Sequence, residues 1–169
     1  YTILRYFNAS GAAEDGSHGE WHIPEAHLIP LIIEAAQGKR EKVELYGSDY
    51  DTKDGTCLRD YVHVEDLAQA HEIAVTRCPE PGEAPGGRIM NVGTGGGNTV
   101  LEVLQAVEKV TGKKVPHEIV GRRPGDPATL VASNDRLLAL GWKPRFQSIE
   151  DVVRTAWEWH CQHPNGYDD

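Results

Sequence analysis

Short apolar runs of strand character alternate with amphipathic helical segments along the whole chain, and this alternation restricts the fold to the α/β class. Residues 1–7 open as a strand at once, with no polar lead-in, and a Gly-rich acidic loop follows through Trp21. Residues 23–38 carry Leu28, Ile29, Ile32 and Ile33 at helical spacing, tolerate Pro30 in the first turns and stop at Gly38. Strands are expected at 43–46, 58–62, 88–92 and 115–120. Between them lie a helix opened by Asp66 and running to about Arg77, and one whose Thr99 and Glu102 form a capping box, ending at Gly112. A short helix over 134–140 precedes a last one begun by Ser148 and Asp151, with Val152, Val153, Ala156 and Trp157 inward. Residues 78–87, rich in Pro, Gly and Glu, read as a connector.

At 169 residues the chain suits one ordinary domain. A formal net charge of -9 argues against nucleic acid or an anionic membrane as the main partner. No apolar run nears the roughly 18 residues that span a bilayer. Cys57, Cys78 and Cys161 are scattered and odd in number, which reads as reduced thiols of a cytoplasmic protein. His18 and His22 have i, i+4 spacing, but in a Gly-rich loop that spacing lacks the helical geometry of a zinc pair, so no metal site is expected. Native domains rarely begin inside a core strand, so the chain is expected to be a carboxy-terminal fragment.

The residues that carry chemistry are cations placed at strand ends. Arg59 lies at the start of an apolar strand, and Arg122-Arg123-Pro124-Gly125-Asp126 makes a second cationic turn. Two guanidinium groups and one carboxylate suit a nucleoside diphosphate, the cations for pyrophosphate and the acceptor for sugar hydroxyls. Each has a plainer reading beside this one: Arg59 as the surface ion-pair partner of Asp60 or Glu65, Arg122 and Arg123 as a solvated turn, Asp126 as a turn residue. Asn8, at a strand end entering a glycine-rich loop, is placed either to bind a ligand at a sheet's carboxyl edge or to make an Asx-turn. Gly93-Thr94-Gly95 follows a strand, yet position 98 is Asn, so this reads as a strand-to-helix turn rather than a dinucleotide fingerprint.

In order along the chain stand Leu4-Arg5-Tyr6-Phe7-Asn8, the 47–56 run Gly-Ser-Asp-Tyr-Asp-Thr-Lys-Asp-Gly-Thr, the 59–68 run beginning Arg59-Asp60-Tyr61, Asn91-Val92-Gly93-Thr94-Gly95, the Arg122–Asp126 turn, and the closing Trp157-Glu158-Trp159 with His163-Pro164-Asn165-Gly166-Tyr167. Over essentially its whole length the sequence resembles the carboxy-terminal half of the UDP-glucose 4-epimerase family, extended short-chain dehydrogenases/reductases. The Asp-Tyr-x-Thr-x-Asp-Gly-Thr loop joined to Arg-Asp-Tyr is specific to that group. The resemblance implies the end of a Rossmann-type parallel sheet plus the smaller α/β substrate-binding domain, with residues 1–8 and about 58–93 contributing to the Rossmann domain and the NAD-binding half absent. It further implies UDP-glucose and UDP-galactose as substrates, NAD as cofactor and a homodimer as the intact protein. The family's Tyr-x-x-x-Lys pair occurs nowhere here, so no catalytic residue is assigned and the fragment alone is expected to be inactive.

Carried onto this sequence, the resemblance puts Asn8 at the phosphate and hexose end, Arg59 and Arg123 on the pyrophosphate, and Asp126 on the ribose hydroxyls. Glu44 and Tyr46 bracket uracil, and Tyr6 and Phe7 lie near the nicotinamide. His27 and Leu28 stand where family members carry an Asn-Leu pair, a departure at His27 that leaves Leu28 its backbone N–H. Leu130 falls in the hexose pocket, and its bulk implies plain rather than N-acetylated hexoses. Two alternatives stay open: a related UDP-sugar epimerase or dehydratase, and a stand-alone UDP-sugar-binding module without chemistry.

Overall fold

The structure, a computed structural model, describes residues 1–77 and 87–167; the expected connector lies outside the described residues except for Gly87, as does Cys78. In chain order the elements are β1 (Thr2–Tyr6), β2 (Asn8–Ser10), α1 (Leu28–Ala36), β3 (Val43–Tyr46), β4 (Leu58–Arg59), β5 (Tyr61–His63), α2 (Val64–Thr76), β6 (Arg88–Val92), β7 (Asn98–Thr99), α3 (Val100–Thr111), β8 (His117–Val120), β9 (Thr129–Leu130), α4 (Asp135–Leu138) and α5 (Ile149–Gln162). Pairing is parallel for β1 with β6, β2 with β5, β3 with β8 and β4 with β9; only β7 runs antiparallel, against β4. This is the α/β class expected from the alternation.

Two apolar clusters hold the elements together. One gathers α1, α3, α5 and β3 around Ile32, Ile33, Leu45, Val103, Val107 and Val153. The other packs β5, β6 and α2 against the segment around α4 through Val62, Ala70, Met90, Val92, Leu137 and Trp142. The Trp142 indole N–H donates to Asp66 O at 2.9 Å, so the ring is buried without orphaning its donor.

Several boundaries move for identifiable reasons. The helix expected from residue 23 begins at Leu28, because Pro24 disfavours the helical region for Ile23 and His27 is extended. Pro30 then falls in the first turn as expected. The single strand expected over 58–62 is broken at Asp60 into β4 and β5, and the opening strand is broken at Phe7 before resuming as β2. Helix α2 is capped by His63, whose side chain accepts from Glu65 N–H; Asp66 lies inside the first turn, buried, accepting from Arg145 N at 2.7 Å and Phe146 N at 3.0 Å. The strand at 115–120 begins at His117, and the helix at 134–140 shortens to Asp135–Leu138. In α5 Trp157 packs, half-buried, against the first cluster as expected, while Trp159, 1% exposed, is buried beside Gly19, His163 and Tyr167. The Thr99–Glu102 capping box and the left-handed Gly112 stop form as expected.

His63 is fully buried, 3.5 Å ring to ring over Phe146. Its Nδ1 accepts from Glu65 N–H, which assigns the proton to Nε2 and directs it at Thr155 Oγ1, 3.0 Å away. Burial lowers the basicity of this imidazole. It does the same to His160, which burial, reinforced by the nearby Lys39 charge, brings from 6.5 to about 4. An imidazole that binds its proton more weakly in the folded than in the unfolded chain stabilises the fold fully above its unfolded value. That contribution fades as pH falls from 6.5 toward about 4. The urea-unfolding midpoint is therefore expected to drop between neutral pH and about pH 4.5, and His160→Gln to flatten the drop; parallel profiles for the two proteins would contradict the assignment.

Candidate functional site

Where the parallel strands end at their carboxyl sides, the chain encloses a cavity of about 650 Å³, within the range of small-molecule sites. Its walls are built from the ends of β1, β3 and β4, the whole of β2, the start of α1 and the 123–126 turn.

Arg59 is fixed before any ligand arrives. One terminal nitrogen donates to Leu58 O and to Pro127 O, each at 2.9 Å, and the other to Asp126 Oδ1 at 3.3 Å. Three of the five guanidinium N–H donors are thus accounted for, leaving two for a ligand. The ion pair expected with Asp60 or Glu65 is made with Asp126 instead. The two arginines of the second turn separate cleanly. Arg122 binds Asp49 through Nε at 2.7 Å and lies over the Tyr50 ring, 4.3 Å from its centroid, pinning the 47–55 loop. Arg123 lies 4.4 Å over the Tyr46 ring and lines the cavity. The Tyr46 hydroxyl in turn donates to Glu44 Oε2 at 2.7 Å.

Asn8 lines the cavity with its side-chain amide donated to Asp60 O at 2.9 Å. At the start of α1, Leu28 and Ile29 lie on the cavity wall; the helix has no side-chain cap and no acid in its first turn, so its leading amides are open to an anion. Tyr6 and Phe7 form part of the wall at the end of β1. His27, Glu44 and Asp126 are lining residues as well, so the cavity gathers every candidate residue except Leu130. Leu130 pairs with Arg59 in the β4–β9 ladder and is 45% exposed, outside the lining.

Sequence reasoning missed the residue on which this arrangement turns. Asp60 is fully buried, and its carboxylate accepts from Thr94 N (2.8 Å), Thr94 Oγ1 (2.7 Å), Gly95 N (3.1 Å) and Ala132 N (3.1 Å). This also explains why Gly93-Thr94-Gly95 makes a poor phosphate cradle: its Thr94 and Gly95 amides are committed to Asp60. An acid set inside an apolar strand was the available signal. Cys57, Tyr61, Glu20 and His22 line the cavity too. Burial drives the Tyr61 phenol well above its usual range, and burial, with Glu25 adding to it, raises the Glu20 carboxyl despite opposing histidines. His18, instead of meeting His22, has Nδ1 2.8 Å from Ser17 Oγ.

A parallel α/β chain with a cation- and aromatic-walled cavity at its strand ends is one built to hold an anionic, ring-bearing ligand. The chain belongs to the NAD dependent epimerase/dehydratase family, whose sequence profile matches residues 1–93. It is 48% identical over 99% of its length to the UDP-glucose 4-epimerase of Halalkalibacterium halodurans, covering 49% of that protein. A crystal structure of UDP-glucose 4-epimerase superposes with TM-score 0.92 and 45% identity over 100% of this chain and 51% of that one. The Bifidobacterium longum UDP-glucose 4-epimerase, solved with NAD+ and UDP, superposes with TM-score 0.89 and 41% identity over 98% of this chain and 49% of that one. The chain spans about half the length of the curated relatives it matches. No described helix is long and apolar enough to cross a membrane.

The closeness of Gly93 to Asp60 gives a direct test of the carboxylate network. A Cβ at Gly93 would meet Asp60 Oδ2 at 2.6 Å and Ala132 Cβ at 2.7 Å, whereas one at Gly96 meets only Thr94 Oγ1 at 3.8 Å. Gly93→Ala is expected to cost about 1–3 kcal/mol in urea unfolding and Gly96→Ala less than about 0.5 kcal/mol. Equal costs would dissolve the claim.

Proposed function

We propose that this chain is the UDP-sugar-holding part of an NAD-dependent UDP-glucose 4-epimerase. The observation that carries the reading is the convergence of Arg59, Arg123, Asp126, Asn8 and Tyr46 on one cavity. Arg59, already held by three internal hydrogen bonds, loses little freedom on gripping a pyrophosphate, and Arg123 adds a second charge from the opposite turn. Tyr46 offers its ring to uracil with Glu44 beside it, and Asp126 offers its free carboxylate oxygen to the ribose hydroxyls. Asn8 and the leading amide of Leu28 meet the phosphate and hexose end, next to His27. Leu130 stands beside Arg59 in the β4–β9 ladder but outside the cavity wall, so its bulk does not decide here between plain and N-acetylated hexoses.

NAD, when bound, supplies the hydride acceptor for the sugar. Tyr6 and Phe7 fit its nicotinamide as an aromatic wall, but the Thr94 and Gly95 amides of the glycine turn are already bound to Asp60, so the grip on a dinucleotide phosphate belongs to another part of the intact protein. The exposed apolar surface supports the same division. Tyr1 (68%), Ile3 (43%), Tyr6 (54%) and Ile89 (39%) lie on β1 and β6 or just before them, a two-stranded parallel pair of a kind that is ordinarily covered on both faces. This favours an edge awaiting more sheet over a stand-alone binding module. The free Cys57 and Cys161 suit a cytoplasmic setting, and the homodimer of the resembling family is part of the reading.

Calorimetric titration with UDP tests it. Arg59→Ala and Arg123→Ala are each expected to weaken binding by about 1.5–3 kcal/mol, while Arg122→Ala, which acts on the 47–55 loop, costs clearly less. A folded chain that ignores UDP, or equal losses for Arg122 and Arg123, would contradict the assignment. Incubated with UDP-glucose and NAD, the chain alone is expected to form no UDP-galactose, since it holds no Tyr-x-x-x-Lys pair.

A further inference from the structure

Before α1 the backbone folds four side chains from an eight-residue stretch onto one point: Glu20, His22, Glu25 and His27 each bring one donor atom, and these atoms all lie within 4.8 Å of one another. The two carboxylates form the floor, with side chains 19% and 6% exposed, and the two imidazoles, 54% and 59% exposed, form the open side. Glu25 is held in place from below, its Oε1 accepting from the backbone N–H of Ala26 at 2.7 Å and of His27 at 2.8 Å. Its Oε2 points toward His22 Nδ1 but stands 3.9 Å off, beyond hydrogen-bond reach. His27 Nδ1 lies 2.8 Å from Glu20 Oε1 and 3.0 Å from Glu25 Oε1, and His22 Nδ1 lies 3.4 Å from Glu20 Oε1.

We propose that Glu20, His22, Glu25 and His27 form a binding site for a divalent transition-metal ion of the zinc class. A tetrahedral ion with ligands at about 2.1 Å sets its donors about 3.4 Å apart, and the imidazole–carboxylate separations of 2.8–3.9 Å span that value, with no donor more than 4.8 Å from another. Two carboxylates and two neutral imidazoles neutralise a dication, and the imidazole pair selects zinc, cobalt(II) or nickel over magnesium or calcium, which want oxygen donors throughout. A neutral imidazole becomes a ligand through Nδ1 by carrying its proton on the other ring nitrogen. Glu20, His22 and His27 also line the cavity that Arg59 and Arg123 line. A cation held there offsets the Glu20 carboxylate on the wall of an anion-binding space. The site itself rests on the side-chain geometry and not on the identity of the nucleotide.

The test uses the chain freed of metal by chelation, with no nucleotide present. Titrated with zinc chloride in a calorimeter, it is expected to take up about one equivalent, and cobalt(II) in its place to give the intense visible bands of tetrahedral coordination. The double variant His22→Ala with His27→Ala is expected to weaken zinc binding more than about tenfold and abolish those bands, while His18→Ala and His117→Ala leave both intact. Circular dichroism checks folding; if the double variant unfolds, Glu20→Gln carries the test with the same expected loss. Zinc uptake that survives these changes, or no uptake beyond the weak, octahedral cobalt spectrum of surface histidines, overturns the proposal.

Discussion

The burial of one carboxylate organises this molecule. Asp60 interrupts what would otherwise be one continuous strand, and every polar atom of the interruption is used. Its side chain ties down Thr94, Gly95 and Ala132, its carbonyl accepts from both the backbone and the side-chain amide of Asn8, and its own N–H donates to Leu130 O at 3.2 Å. A charge taken out of water is tolerated only when its oxygens are fully hydrogen-bonded, so the positions of three separate segments are coupled to one residue. Those segments are the ones that deliver Asn8 and Arg59 to the cavity wall.

From that anchor the two cationic turns divide their work. Arg59 stands one residue before the buried acid and inherits its rigidity, then adds its own bonds to Leu58, Asp126 and Pro127. Arg122 and Arg123 are adjacent in sequence but face different tyrosines, Tyr50 and Tyr46. One fastens the loop that follows β3, and the other presents its charge to the cavity. A site whose cations are held by neighbours before binding gives up less entropy when a polyanion arrives. A grip held in this way is preformed.

Much of this was legible in the sequence. Apolar periodicity marked the strands and helices, and Thr99, Glu102, Gly112 and Ser148 marked helix ends correctly because caps are local chemistry. The residues that gather on the cavity wall were picked out as cations at strand ends and, more sharply, through resemblance to a family. What escaped were relationships between distant residues. Asp60 looked like a surface ion-pair partner because nothing local reveals that its four donors come from residues more than thirty positions away. The resemblance singled out Arg123 over Arg122, but not the tyrosine that lies beneath each. The start of α1 was misplaced because an apolar run outweighed the conformational restriction that Pro24 imposes on its neighbour. The gathering of Glu20, His22, Glu25 and His27 in a loop without helical spacing had no periodic signature to read.

The most direct test of the account is the unfolding free energy of Asp60→Asn measured in urea against the unaltered chain. The replacement keeps the shape of the side chain but turns one acceptor oxygen into a donor facing backbone N–H groups. If the buried carboxylate organises the fold, the variant loses at least about 2–3 kcal/mol. A loss smaller than about 0.5 kcal/mol, the range of an ordinary surface change, would mean that the segments around the cavity are held by something else.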